Sequence, residues 1–180
     1  MTTYEELCQR YAAARARAAE RRDRVRALLL RVGERVVRRL GVPDTAHGWR
    51  NVETEEEPAE GEEAPSLADV LTLDDDGVWH AGLQIVLRDG APDEGSLPLF
   101  FDIGVREEED HLLVAIGEGN PPRRVHGGDE TALDALAAEA ETRLREWLTE
   151  NLDRVLGAPG STGHFGVDPW VLLQPLMGYD

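Results

Sequence analysis

Residues 97–119, LPLFFDIGVREEEDHLLVAIGEG, decide the fold. Leu97, Leu99, Phe101, Ile103 and Val105 alternate with Pro98, Phe100, Asp102, Gly104 and Arg106. Downstream, Leu112, Val114 and Ile116 alternate with His111, Leu113, Ala115 and Gly117. Side chains repeat with a period of two along a strand, so each run has one apolar face and the pair reads as a β-hairpin. With Glu107, Glu108, Glu109 and Asp110 as a four-residue turn, Arg106 faces His111, Val105 faces Leu112 and Ile103 faces Val114. The apolar faces then coincide. A slip of one residue would set apolar against polar, which ties the register to the core.

Working upstream, Val78–Arg88 alternates in the same way, with Trp79, Ala81, Leu83, Ile85 and Leu87 on one face. The other face holds Val78, His80, Gly82, Gln84, Val86 and Arg88. Asp74, Asp75, Asp76 and Gly77 before it carry the Asp-Gly signal of a hairpin turn. Leu67–Leu73 is then a short strand. Residues 89–96 return the chain to Leu97. Short connections between successive strands favour an antiparallel meander of four strands.

Helices flank the meander. Thr2 or Thr3 caps the first, with Glu5 or Glu6 as capping-box partner. It runs to Leu40 and stops at Gly41-Val42-Pro43. Its stripe is Tyr4, Leu7, Tyr11, Ala14, Ala18, Val25, Leu28, Leu29, Val32, Val36 and Leu40. Gly33 marks a bend or a close contact. Val25–Leu40 is expected to pack on the sheet, while the first half holds too short a heptad pattern for a long coiled coil and stays open to a partner. Cys8 is expected to be a small buried hydrophobe. Asp129 caps the second helix, which runs to Leu156 with a stripe of Leu133, Leu136, Ala137, Ala140, Leu144, Trp147, Leu148, Leu152 and Val155.

The fold class expected is therefore α+β: a four-stranded antiparallel meander with a long N-terminal and a C-terminal helix in a two-layer sandwich. One domain carries four segments. Residues 1–42 form an amphipathic, Arg-rich helix and residues 43–66 an acidic flexible linker. Residues 67–157 hold the sheet and its helix. Residues 158–180 form a Gly-rich, then apolar tail, expected to dock on its own domain.

Charge is unevenly placed. The net charge is −17, and all 19 basic residues are arginine. Residues 1–50 carry 12 arginines against 6 acids, a net of +6, and the remainder carries −23. Adaptation to a salty cytoplasm would account for both the acidity and the missing lysine. The single cysteine excludes an internal disulfide framework and any Cys-based zinc site. The N-terminus has no secretory pattern and no apolar run spans a bilayer, so a cytoplasmic location is expected.

No catalytic motif is strong. A Walker A loop needs the missing lysine, as does the usual PD-(D/E)XK nuclease site. Prolines at 121 and 122 prevent a helix from opening after Gly117 and Gly119, which removes a dinucleotide fingerprint. The loop 158–164 lacks the strand and helix that a phosphate cradle requires, and no serine sits in a nucleophile elbow. The acidic turns lack EF-hand spacing.

Two constellations remain. Alternate turns of a meander share one end of the sheet, so Asp74, Asp75 and Asp76 should join Glu107, Glu108, Glu109 and Asp110 in an acidic rim, with Arg123, Arg124 and His126 at the opposite end. The outer sheet face holds His80, Gln84, Asp102, Phe100, Arg106 and His111, and its glycines and apolar residues imply that something packs there. The function expected is a non-catalytic protein-interaction module, an accessory or chaperone-like subunit. Candidate contact residues are Asp74, Asp75, Asp76, Glu107, Glu108, Glu109, Asp110, Phe100, Asp102 and His80. The partner is another protein of basic character, or a second copy through the N-terminal helix. No cofactor, membrane or direct nucleic-acid contact is expected. The alternatives are an acidic inhibitor that mimics nucleic acid in a basic groove, and a metal-dependent enzyme built on the His/Asp cluster.

Overall fold

The computed structural model describes residues 3–52, 64–88, 96–117 and 121–156. Among these, α1 spans Tyr4–Leu40, a 3-10 turn Asp44–Ala46, β1 His47–Arg50, α2 Leu67–Val70, β2 Thr72–Leu73, β3 Val78–Arg88, β4 Ser96–Glu107, β5 Leu112–Ile116, β6 Arg123–Val125 and α3 Glu130–Leu156. The sheet is antiparallel with order β1-β3-β4-β5-β6, and β2 pairs with β3 beside β1. The α+β class is as expected, with six strands in place of four.

The added strands lie in stretches too short or too mixed to show alternation. β1 falls inside residues 43–66, so the first part of that segment is built into the sheet edge. Its remainder, 53–63, and the tail 158–180 lie outside the described residues. Leu67–Leu73 is not one strand. Ser66 and Asp69 form a capping box that starts the one-turn helix α2, and only Thr72 and Leu73 pair with β3. An S-x-x-D pattern before an apolar residue is a helix start, and here it outweighs β-propensity.

Both long helices cover one face of the sheet. Val25, Leu28, Leu29, Val32, Val36 and Val37 of α1 form one core with Ala81, Leu83, Ile85, Ile103, Val105, Val114 and Ile116 of the sheet. Leu133, Leu136, Ala137 and Ala140 of α3 complete it. A satellite cluster of Leu97, Leu99 and Trp147 lies at the end of the sheet where Leu87 of β3 pairs with Leu97 of β4, and Leu87, Leu144 and Leu148 pack on it. From Val25 onward α1 buries the face that its three- and four-residue steps predict, and α3 does the same from Leu133 to Trp147, which removes that apolar surface from water.

Local chemistry sets the ends of α1. Thr3 Oγ1 accepts from the Glu6 amide at 3.3 Å, and the Thr3 amide donates to Glu6 Oε2 at 2.9 Å. Gly41 closes the helix in the left-handed region, φ 67°. Gly33 marks a close contact: a Cβ there would lie 2.7 Å from Trp49 Cζ2 and 2.9 Å from Cη2. The helix thus rests on the indole of β1 at a position only glycine can occupy without displacement.

Arginines tie the helices together across their exposed edge. Arg31 pairs with Glu130, and Arg35 with both Glu130 and Asp134. Arg39 Nε lies 2.6 Å from Glu141 Oε2. The partners advance together along both chains, so α1 and α3 run in the same direction.

The hairpin register differs from the expected one by two residues. Glu107 pairs with Leu112, Arg106 with Leu113, Val105 with Val114 and Ile103 with Ile116. The turn is therefore Glu108–His111, closed by the Glu108 amide donating to the His111 carbonyl at 3.0 Å. A two-residue shift preserves the faces, so the apolar pattern cannot distinguish the registers. Arg106 consequently does not face His111.

Candidate interaction surfaces

Past Val25, toward the N-terminus, α1 leaves the core. Every described residue from Thr3 to Arg24 is exposed. Tyr4 is 83% exposed, Leu7 54% and Tyr11 70%. At 1.5 Å per residue, Tyr4–Arg24 is an arm about 30 Å long. Cys8 is exposed on it, contrary to the expected burial, because the body ends before the stripe does. Three arginines anchor the base of the arm. Arg24 pairs with Glu107, Arg21 Nε lies 2.9 Å from the other Glu107 oxygen, and Arg22 donates to the Ala68 carbonyl at 2.9 Å.

The acidic rim exists in the register: Val78, which follows the Asp74–Gly77 turn, pairs with Arg106, which precedes the Glu108–His111 turn. Much of its charge is already engaged. Glu107 faces the helices instead of solvent and meets Arg21 and Arg24. Asp74 accepts from the Val78 amide at 2.8 Å, and its Oδ2 lies 3.1 Å from His80 Nε2. The amide bond, then His80, hold the Asp74 carboxyl below its usual range. Asp110 lies 2.6 Å from His111 Nδ1, and that contact lowers its pKa in turn. Glu108 meets Arg106 at 3.1 Å. Asp75, Asp76 and Glu109 are exposed and make no ion pair with the described residues.

The basic residues of β6 are not at the far end of the sheet. Val125 pairs with Leu112, next to the acidic turn, and the His111 and His126 rings lie 5.7 Å apart. The chain crosses from β5 to β6 and returns, so residues after β6 revisit the rim. Arg123 turns toward α3 and meets Glu139 at 2.7 Å. The antiparallel pairing of β6 with β5, instead of an exit from the sheet, produces this, and no sequence signal marked β6.

On the outer face, β3 and β4 bring His80 and Asp102 together as their matching faces imply. His80 Nδ1 lies 3.3 Å from both Asp102 oxygens while Nε2 faces Asp74. Two carboxylates around one imidazole raise the His80 pKa to about 9, Asp102 contributing most, burial opposing, and Asp74 adding to it. The ring is an imidazolium at neutral pH, with both nitrogens engaged. In that form both ring nitrogens are donors, each directed at a carboxylate. Among the described residues no group of three His, Cys, Asp or Glu side chains is arranged to hold a metal ion.

Phe100 sits half-buried opposite Gln84, which is only 4% exposed. A Cβ on Gly82 would lie 3.1 Å from the Arg50 carbonyl of β1. Part of what the outer-face glycines signalled is thus the neighbouring strand.

Among the described residues no helix is long and apolar enough to cross a membrane. Comparisons with protein-family models, curated proteins and solved structures produced no match.

Proposed function

We propose that this chain is a non-catalytic protein-interaction module, an accessory or chaperone-like subunit that engages its partner through the first half of α1. The exposed run Tyr4, Leu7 and Tyr11 carries the reading. Its residues continue the heptad of Val25, Leu28 and Val32, yet nothing among the described residues covers them. Large apolar and aromatic side chains in line on a capped helix form a stripe of the kind that packs into a groove or beside another helix. The body anchors the arm and holds it out.

The test is affinity capture from the source cells at low and high salt, comparing the native chain with Leu7→Asp/Tyr11→Asp. A partner that survives high salt and is lost with the variant is expected, because apolar contacts are insensitive to screening. Identical capture by both proteins would refute the role of the arm.

A second reading is an acidic inhibitor that mimics nucleic acid, using Asp75, Asp76 and Glu109 at the rim. It is favoured only by the shared end of the two turns, and the internal pairing of Glu107, Asp74 and Asp110 weakens it. It predicts a complex that dissociates steeply with salt and on Asp75→Asn/Asp76→Asn/Glu109→Gln.

A further inference from the structure

The charges of the arm are sorted by helix face. Taking Tyr4, Leu7, Tyr11, Ala14 and Ala18 as alternating a and d positions, the residues flanking this seam are the e and g positions. These are Cys8, Arg10, Arg15, Arg17, Arg22 and Arg24. The acids of the same stretch, Glu5, Glu6, Glu20 and Asp23, all fall at b, c or f, away from the seam. Every charged flank is thus an arginine, and every carboxylate lies on the other side.

Flank residues set which helix can lie alongside, because opposite charges across the seam attract and like charges repel. A second copy of the arm, parallel or antiparallel, would set arginine against arginine. Self-pairing is therefore disfavoured by the charges that border the apolar contact. The alanines at 14 and 18 leave room for large side chains from a partner, so the apolar seam would be completed by the partner's residues and not by equal contributions.

We infer that the arm receives an amphipathic helix of a different protein whose apolar seam is flanked by glutamate or aspartate. This rests on the arm being the interaction surface and adds the chemistry of its occupant. Arg10, Arg15 and Arg17 supply the selection. Arg22 and Arg24 contribute less, since Ala68 and Glu107 already hold them. The seam offers only Leu7 and two tyrosines as large apolar groups, too little to seat the arm in a lipid surface without anionic headgroups.

The test uses the full chain and three fluorescent helical peptides with the same leucine seam and with Glu, Gln or Lys flanks. Anisotropy at moderate salt should show the Glu-flanked peptide binding about tenfold more tightly than the Gln-flanked one, the sum of several exposed ion pairs. The Lys-flanked peptide should bind most weakly. Arg10→Glu/Arg15→Glu/Arg17→Glu should reverse the order, and Leu7→Asp/Tyr11→Asp should abolish binding of all three. Equal binding of the three peptides, lost in the Leu7/Tyr11 variant, would overturn the acidic-partner inference and leave the interaction reading standing. Absence of binding to any peptide would overturn the inference. So would a dimer in sedimentation that Leu7→Asp/Tyr11→Asp dissociates, or tighter binding to duplex DNA or phosphatidylserine vesicles than to the Glu-flanked peptide.

Discussion

The imidazolium of His80 makes the stability of the sheet depend on pH over a defined window. In the unfolded chain His80 titrates near 6.5, and in the folded chain near 9. A raised folded value means that the folded state holds the proton more tightly. The added stability is fully present below about pH 6.5 and is lost as pH rises toward 9. Unscreened, a shift of this size corresponds to roughly 3 kcal/mol. The ring is 27% exposed and Asp74 is at the surface, so solvent screening reduces the expected effect to ~1–2 kcal/mol. Urea unfolding followed by tryptophan fluorescence checks this, with native protein and His80→Gln compared from pH 5.5 to 9.5. Taking the difference between the two proteins cancels titrations elsewhere in the chain. Native protein should be the more stable by the full amount near pH 6, and the gap should narrow steadily through pH 6.5–9. An NMR titration should place the His80 ring well above 8. A flat difference across the window, a gap that widens with pH, or a ring titrating near 6.5 would refute the ion triad.

Gly33→Ala should destabilise by about 1 kcal/mol in chemical denaturation, because displacing the Trp49 indole costs more than the roughly 1 kcal/mol that alanine gains in helix propensity; a stabilised variant would show that the indole moves freely. Leu29→Ala, in a fully buried position, should cost about 2–5 kcal/mol. Leu7→Asp/Tyr11→Asp should leave stability within about 0.5 kcal/mol of native, since both side chains are exposed. Glu107→Gln should cost about 0.5–1 kcal/mol and speed amide exchange over residues 17–24, where Arg21 and Arg24 lose their anchor; unchanged exchange would place the anchor elsewhere.

Much of this architecture is legible in the chain itself. Alternation along β3 and β4 states which side chains face the core, because the strand period is two. The stripes of α1 and α3 state which faces they bury, because the helix period is 3.6. Thr3 with Glu6, Gly41 and Asp129 announce the helix ends, since capping is local chemistry. The pairing of His80 with Asp102 follows from two adjacent strands with matching faces. Short elements were not legible in the same way. β1 and β6 span four and three residues, too few for a period to appear, and α2 is a single turn set by the Ser66/Asp69 capping box instead of by periodicity. The hairpin register moved by two residues because apolar alternation is blind to even shifts.

The interaction arm divides the two sources most clearly. Composition and spacing determined that α1 is one continuous amphipathic helix with arginines bordering its N-terminal seam. Where the body stops beneath it is a tertiary matter, set by the length of the sheet and by Glu107 catching Arg21 and Arg24. The same heptad is core after Val25 and open surface before it. Periodicity specifies a face, and only packing decides what covers that face.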